Sequence, residues 1–507
     1  MFSRRVETMN YVIGVDLGTS AVKIMLVDKN GEVVGSVSKA YPLTQEKTGF
    51  SEQNPEHWVE QTLVGLQELL KDFKGDTANI EGMSFSGQMH GLVLLDEQNE
   101  VLRPAILWND TRTTAQCQQI YDVIGEDRLL EITKNPALEG FTLPKILWVK
   151  ENEPQIFEQV KTFVLPKDYL RYRLTGQLHM EYSDAAGTLL LDVGRKEWST
   201  TICALMDIDP SICPPLLDSH DEVGTISLDV AQATGLSITT RVFAGGADNA
   251  CGAIGSGILE DGKTLCSIGT SGVVLSYEAT PDKDFNGKVH YFNHGAPNAF
   301  YTMGVTLAAG HSLTWFKEVF ASEESFQELL SELNTVPVGS NGLLFTPYLV
   351  GERTPHADAT IRASFIGIDS SHQCKDFVRA VIEGITFSLH ESIEIFRKNG
   401  KLIDTIVSIG GGAQNDDWLQ MQADIFDAKI VRLTSEQGPG MGAAMLAAYG
   451  CKWFDSLKDC ADEFLKEDKQ FNPIKANVEK YKQLFPIYQH VYGQTKDLNK
   501  ALLEFRK

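Results

Sequence analysis

From Tyr11 to Asp16 the chain runs Tyr-Val-Ile-Gly-Val-Asp, a β-branched apolar stretch closed by a carboxylate. Its length suits a strand, and its lack of alternation suits one covered on both faces. Leu17-Gly-Thr-Ser20 turns the chain, and Ala21–Val27 returns as a second apolar strand. Asn30-Gly31 then marks a tight hairpin, and Glu32–Ala40 alternates as a third strand. A helix is predicted from Asn54-Pro55 to about Leu70, proline being suited to a first turn.

The same pattern recurs half a chain later. Thr264–Ser267 is apolar, Ile268-Gly-Thr-Ser271 turns, and Gly-Val-Val follows. Spacing of that size indicates a duplicated domain rather than a short repeat. Chance explains two Gly-Thr-Ser turns but not the matching strands around both. The glycine-rich stretch Gly252–Gly257 supplies a boundary, dividing 9–257 from 258–507. A third glycine cluster, Ser408-Ile-Gly-Gly-Gly-Ala-Gln-Asn-Asp416, follows a strand at Thr405–Val407 and opens into a helix. From Ala476 to Phe505 apolar residues recur at helical spacing, with a kink expected at Pro486.

Composition narrows the function. A chain of 507 residues exceeds one compact core. A net charge of -23 argues against nucleic acid or an anionic membrane surface as partner. It leaves ATP open, since a nest of backbone N–H groups with magnesium can hold phosphate in an acidic protein. The eight cysteines show neither Cys-x-x-Cys pairing nor zinc spacing, which reads as reduced thiols. No signal peptide or membrane-length apolar run is visible, so a soluble cytoplasmic enzyme is expected. Met1–Thr8 reads as a disordered extension, with Met9 an alternative start.

Chemistry concentrates at the turns. Glycine lets the backbone approach a phosphate, and the hydroxyls add donors, so Gly18, Thr19 and Ser20, with Gly269 and Thr270, form two candidate phosphate clamps. Asp16 is placed to hold hydrated magnesium. Lys23 adds positive charge there or is a solvated strand residue. Gly411, Gly412 and Asn415 provide a flat turn for adenosine, or an ordinary tight turn. Gly245-Gly-Ala-Asp-Asn-Ala250 places Asp248 at the start of a small-residue helix, where the dipole favours an ionised carboxylate. There it is a proton acceptor for phosphoryl transfer, or a helix cap. Ser86-Gly-Gln-Met-His-Gly91 offers His90 to a hydroxyl, the alternative being a satisfied buried histidine. Leu107-Trp-Asn-Asp-Thr-Arg112 offers the face of Trp108 to a sugar, or to the core. Leu165-Pro-Lys-Asp-Tyr-Leu170 and Ser183-Asp-Ala-Ala-Gly-Thr188 carry polar residues whose role the sequence leaves open.

Asp16-Leu-Gly-Thr-Ser20, Ile268-Gly-Thr-Ser-Gly272 and Ile409-Gly-Gly-Gly-Ala413 resemble the phosphate and adenosine motifs of the FGGY carbohydrate kinases. Gly140-Phe-Thr-Leu-Pro-Lys-Ile-Leu-Trp148 and Ser364-Phe-Ile-Gly-Ile-Asp369 resemble further signatures of that family, and Gly351-Glu-Arg-Thr-Pro-His356 resembles its pentulose branch. The resemblance spans about residues 10–450 and implies two α/β domains of the actin-like, ribonuclease H-like ATPase type, each with a five-stranded sheet, around a deep cleft. It implies ATP and Mg2+ as cofactors and D-xylulose as the sugar, with ribulose the nearest alternative. Asp248 carries over as base, Met89, His90 and Asn249 as sugar contacts, and Asp16 as the residue near the metal. Thr19, Thr270, Gly310, Gly412 and Asn415 carry over to the nucleotide. Ala247 departs from the family's usual glycine, and its methyl is expected to tighten the sugar pocket. A homodimer is compatible with the resemblance, and no residue pattern encodes it. Chaperones, filament proteins and sensors share the architecture, but they give no reason for the Met89-His90 and Asp248-Asn249 pairs.

Overall fold

The computed structural model describes residues 9–435 and 437–506; the expected extension Met1–Thr8 lies outside them. The first three strands are β1 (Tyr11–Leu17), β2 (Ala21–Asp28) and β3 (Val33–Ala40). β1 is nearly all buried, and β3 alternates between half-buried and exposed, as an outer strand should. Helix α1 (Pro55–Asp72) starts with Asn54 capping the Glu56 N–H and proline at its first position. Then come β4 (Ile80–Gly87), α2 (Pro166–Thr175), β5 (Glu222–Thr225), β6 (Arg241–Phe243) and α3 (Asp248–Ile254). The sheet order is β5-β6-β4-β1-β2-β3, with the short strand Gly246–Ala247 also on β4.

The second sheet contains β7 (Gly262–Ile268), β8 (Gly272–Glu278), β9 (His290–Asn293) and β10 (Phe300–Thr306). Helices α4 (Gly310–Phe320) and α5 (Cys374–Lys398) precede β11 (Ile403–Gly410), α6 (Asp416–Phe426) and β12 (Lys429–Leu433). Last come α7 (Gly438–Gly450), β13 (Glu467–Phe471) and α8 (Lys475–Ala501). Its order is β9-β10-β8-β7-β11-β12-β13. β7 is antiparallel to β8 and parallel to β11, as β1 is antiparallel to β2 and parallel to β4. Each sheet thus repeats one five-stranded mixed core, β3-β2-β1-β4-β6 matching β10-β8-β7-β11-β12. This is the actin-like ATPase architecture twice over. An antiparallel outer strand extends each core, and β9 widens the second, so the sheets are larger than the five strands expected.

The halves interlock through α3 and α7, each of which follows the last parallel strand of its own core. A side chain at Gly442 would collide with the Cys251 carbonyl, and one at Gly255 with the Gly438 carbonyl. On the sheet below, Gly14 of β1 leaves room for the backbone of Gly440. Small residues therefore let two helices and a strand pack backbone to backbone. Although α7 lies late in the chain, it packs on β1 and β4 of the first sheet. At the C-terminus α8 buries Val478, Tyr481, Phe485, Tyr488 and Val491 and carries Pro486 within it.

Candidate active site

Asp16 sits near the end of β1, opposite Lys23 on β2 and Ser86 on β4. Burial pushes its carboxyl up, and Ser86 and Lys23 pull it back only in part. Asp248 begins α3, and the cap position belongs to Ala247, which offers no side-chain cap. Its Oδ1 accepts from the Asn249 N–H at 2.7 Å and the Asn249 amide at 3.0 Å. Burial, then the charge of Asp16, pushes the Asp248 carboxyl up to about 7. The sequence-level expectation of a carboxylate kept ionised by the helix is thus corrected, because desolvation and a like charge outweigh a short helix end. Ala247 is also corrected. It is fully buried and paired with β4 beside Gly87, so its methyl fills the core instead of tightening an open pocket.

Met89 and His90 lie just beyond β4. The Asn249 amide reaches the Met89 sulfur at 3.5 Å, and the Tyr301 hydroxyl, from the second half, approaches it at 3.9 Å. One methionine thus joins the Asp248 turn to β10. His90 has a left-handed backbone, φ 67°, held by hydrogen bonds to its carbonyl from Thr142 (3.1 Å) and Lys145 (3.0 Å). Its Nδ1 lies 2.6 Å from the Gly187 carbonyl, and its ring packs on Phe141 and Phe292. Burial holds the imidazole near 3, hence neutral, and also lowers the Lys145 ammonium to about 7. A neutral histidine presents its second ring nitrogen to a hydroxyl without bringing charge.

Beneath the Asp248 turn lies a buried ion cluster. Lys167 is fully buried, with Nζ 2.7 Å from Asp168, 3.1 Å from Asp184 and 3.4 Å from Glu181. Arg171 bonds Asp168 at 2.8 Å and the Ala244 carbonyl at 2.6 Å. Ser183 donates to Glu181 and accepts from the Ala247 N–H at 2.9 Å. The two polar segments that the sequence left without a role therefore fix both ends of the stretch leading to Asp248.

The first Gly-Thr-Ser turn is pinned from behind: Tyr41 donates to the Gly18 carbonyl, and Gln53 to the Thr19 carbonyl at 2.7 Å. The Gly18 N–H closes the hairpin onto Ala21, and in the second turn the Gly269 N–H closes onto Ser271. Gly269, Thr270, Gly310, Gly411, Gly412 and Asn415 then line a single cavity of about 640 Å³ in the second half. That volume suits a nucleoside. Asn415 caps α6 by accepting from the Trp418 N–H at 2.9 Å, and Gly310 opens α4 with its N–H on the Gly269 carbonyl at 2.8 Å. A methyl at Gly310 would overlap that carbonyl. Gly310→Ala is therefore expected to raise the KM for ATP roughly 10-fold, the scale of mild overpacking, with the sugar KM within about twofold. Steady-state kinetics check this, and an unchanged ATP KM would dissociate Gly310 from the nucleotide.

Not every expected residue joins these two groups. Gly18, Thr19, Ser20 and Lys23 do not line the 640 Å³ cavity. Lys23 bonds Gln437, just before α7, at 2.8 Å. Trp108 is 47 % exposed and donates to the Thr19 hydroxyl at 3.0 Å, which sets it at the first Gly-Thr-Ser turn rather than against Met89 or His90. Sequence reasoning missed Lys145, Lys167 and Asp184 as supports of the site. All three lie inside motifs it had marked, but ion pairing between distant segments carries no local signal.

Comparison with known proteins agrees with this geometry. The model for "FGGY family of carbohydrate kinases, N-terminal domain" matches residues 11–255, and that for the C-terminal domain matches residues 264–451. The xylulose kinase of Bacillus subtilis is 62 % identical over 98 % of this chain and 100 % of its own. Among solved structures, a ligand-bound xylulose kinase from Lactobacillus acidophilus superposes with a TM-score of 0.91 at 29 % identity, covering 96 % of this chain and 98 % of that one. A structure named gluconate kinase, from the same organism, gives the same four values. With both halves of the fold, the paired carboxylates and the glycine-lined cavity in place, the chain belongs to the FGGY family of carbohydrate kinases.

Proposed function

We propose that this sugar kinase transfers the γ-phosphoryl group of ATP to the terminal hydroxyl of D-xylulose, giving D-xylulose 5-phosphate. Residues 9–257 bind the sugar and residues 258–507 the ATP. The observation that carries the reading is Asp248, half-buried at about 7 and linked through Asn249 to Met89. The naming of the 62 % identical relative supports the sugar.

Asp248 accepts the proton of the attacking hydroxyl as the oxygen–phosphorus bond forms, and the bond to the leaving ADP oxygen breaks. Met89, His90 and Asn249 hold the sugar, with Trp108 at the edge of the first phosphate turn. The Thr and Ser N–H groups of the two Gly-Thr-Ser turns stabilise charge on the phosphates, the glycine N–H groups being bonded within the turns. Among the described residues no three His, Cys, Asp or Glu side chains form a metal cluster. A single carboxylate suits magnesium, which keeps water ligands and takes phosphate oxygens, so Asp16 fits that ion. When bound, the ion neutralises phosphate charge. Among the described residues no helix is long and apolar enough to cross a membrane, and dependence on ATP suits a cytoplasmic enzyme.

A base near 7 sets the pH profile. The kcat/KM for sugar is expected to fall about 10-fold per unit below pH 7 and to level off above it. A profile flat from pH 5 to 8 would remove Asp248 as the base. The substrate is tested by ADP release from Mg-ATP with D-xylulose, D-ribulose, L-ribulose, gluconate, glycerol or no sugar. Fast turnover with D-xylulose is expected. Preference for another sugar would overturn the substrate and keep the mechanism, and no stimulation by any sugar would overturn both.

A further inference from the structure

The segment Gly351–Thr354 of the second half is fastened to the end of β10. Thr354 exchanges two 3.0 Å hydrogen bonds with Val305, one from each backbone N–H. The buried Glu352 carboxyl accepts from the Leu307 N–H at 3.1 Å and the Arg353 N–H at 2.7 Å. Between these two buried residues Arg353 is exposed. Its position is fixed by backbone bonding on both sides, yet among the described residues its guanidinium has no hydrogen bond and no ion pair. Several less exposed arginines differ. Arg103, Arg112, Arg171 and Arg379 each have a carboxylate within 3 Å.

The charge of Arg353 acts on His90 of the first half and on His290 of β9, both neutral. His90 and His290 pack around Phe141 and Phe292, and Tyr301 on β10 approaches Met89. The guanidinium is exposed, and the charges of Glu139 and Glu352 act on it without a hydrogen bond, so its donors are free for a ligand's acceptors. A guanidinium is a planar fork of donors, matched to two neighbouring oxygens.

We propose that Arg353 is a sugar-binding residue contributed by the second half, donating to the carbonyl and neighbouring hydroxyl at the end of the ketose remote from Asp248. Sugar seated on Met89 and His90 then also bridges the two halves. This rests on the sugar-kinase reading above.

The test compares wild type, Arg353→Met and Arg353→Lys as full-length enzymes in Mg-ATP with D-xylulose. Arg353→Met is expected to raise the sugar KM about 10- to 100-fold, the scale of a lost charge-assisted bond, with the ATP KM within about twofold. Arg353→Lys restores part of the loss, since it returns charge without the fork. A merely structural role would lower the melting temperature and move both KM values together. An unchanged sugar KM in Arg353→Met, or a rise confined to ATP, overturns the assignment while leaving the kinase intact. Wild-type enzyme unstimulated by any sugar would overturn the kinase reading and this proposal with it.

Discussion

Asp248→Asn is expected to lower turnover about 10²- to 10⁴-fold while leaving the protein at least as stable as wild type at pH 8. An asparagine oxygen can keep the hydrogen bonds from the Asn249 backbone and amide, so the turn retains its shape. The basic oxygen is lost. The stability effect has the opposite sign. Asp248 titrates near 7 in the fold against 3.8 ordinarily. Between these values the folded protein binds a proton that the unfolded chain has released, so this group costs stability as pH rises from about 4 to about 7. Asparagine removes that cost together with the repulsion from Asp16. The melting-temperature difference between variant and wild type should therefore widen from pH 5 to pH 8, in EDTA. Near-normal turnover would reduce Asp248 to a turn residue, and a variant that melts lower at pH 8 would contradict the burial argument.

Lys167→Met should have the largest effect on stability. Methionine matches the length of the stem but leaves Asp168, Glu181 and Asp184 close together in the interior. Burial already pushes the Asp184 carboxyl well up, with Lys167 pulling it down. Removing one partner of a buried ion pair typically costs about 3–5 kcal/mol, and the remaining cation, Arg171, pairs with Asp168. Urea unfolding should show a loss of that size, and activity should fall because Ser183 and Arg171 no longer fix the approach to Asp248. Adding Asp184→Asn to Lys167→Met should recover part of the stability, since one fewer carboxylate is left unpaired. A single variant as stable as wild type would show that the cluster is dispensable to the fold.

How far the sequence could be read follows from the range of the forces involved. The β1–β2 hairpin, its copy at β7–β8 and the helix starts at Asn54 and Asn415 were legible, because turn and cap chemistry acts within a few residues. So was Asp248 at a helix start, though not its raised proton affinity, which depends on Asp16 more than two hundred positions away and on burial. The crossing of α3 and α7 was not legible. A run such as Gly-Pro-Gly-Met-Gly-Ala-Ala reads as a buried helix but does not say against which sheet it lies. The Lys167 cluster and the unpaired Arg353 depend on folded neighbours in the same way. Their motifs stood out in the sequence, and their roles emerge only from three-dimensional placement.

The most direct measurement is the crystal structure of the enzyme with D-xylulose and a non-hydrolysable ATP analogue. The account predicts the terminal hydroxyl of the sugar within hydrogen-bond distance of Asp248. It also predicts the adenosine in the cavity lined by Gly310, Gly412 and Asn415, with the triphosphate between the two Gly-Thr-Ser turns. A sugar bound away from Asp248, or with another hydroxyl facing the γ-phosphate, would contradict it.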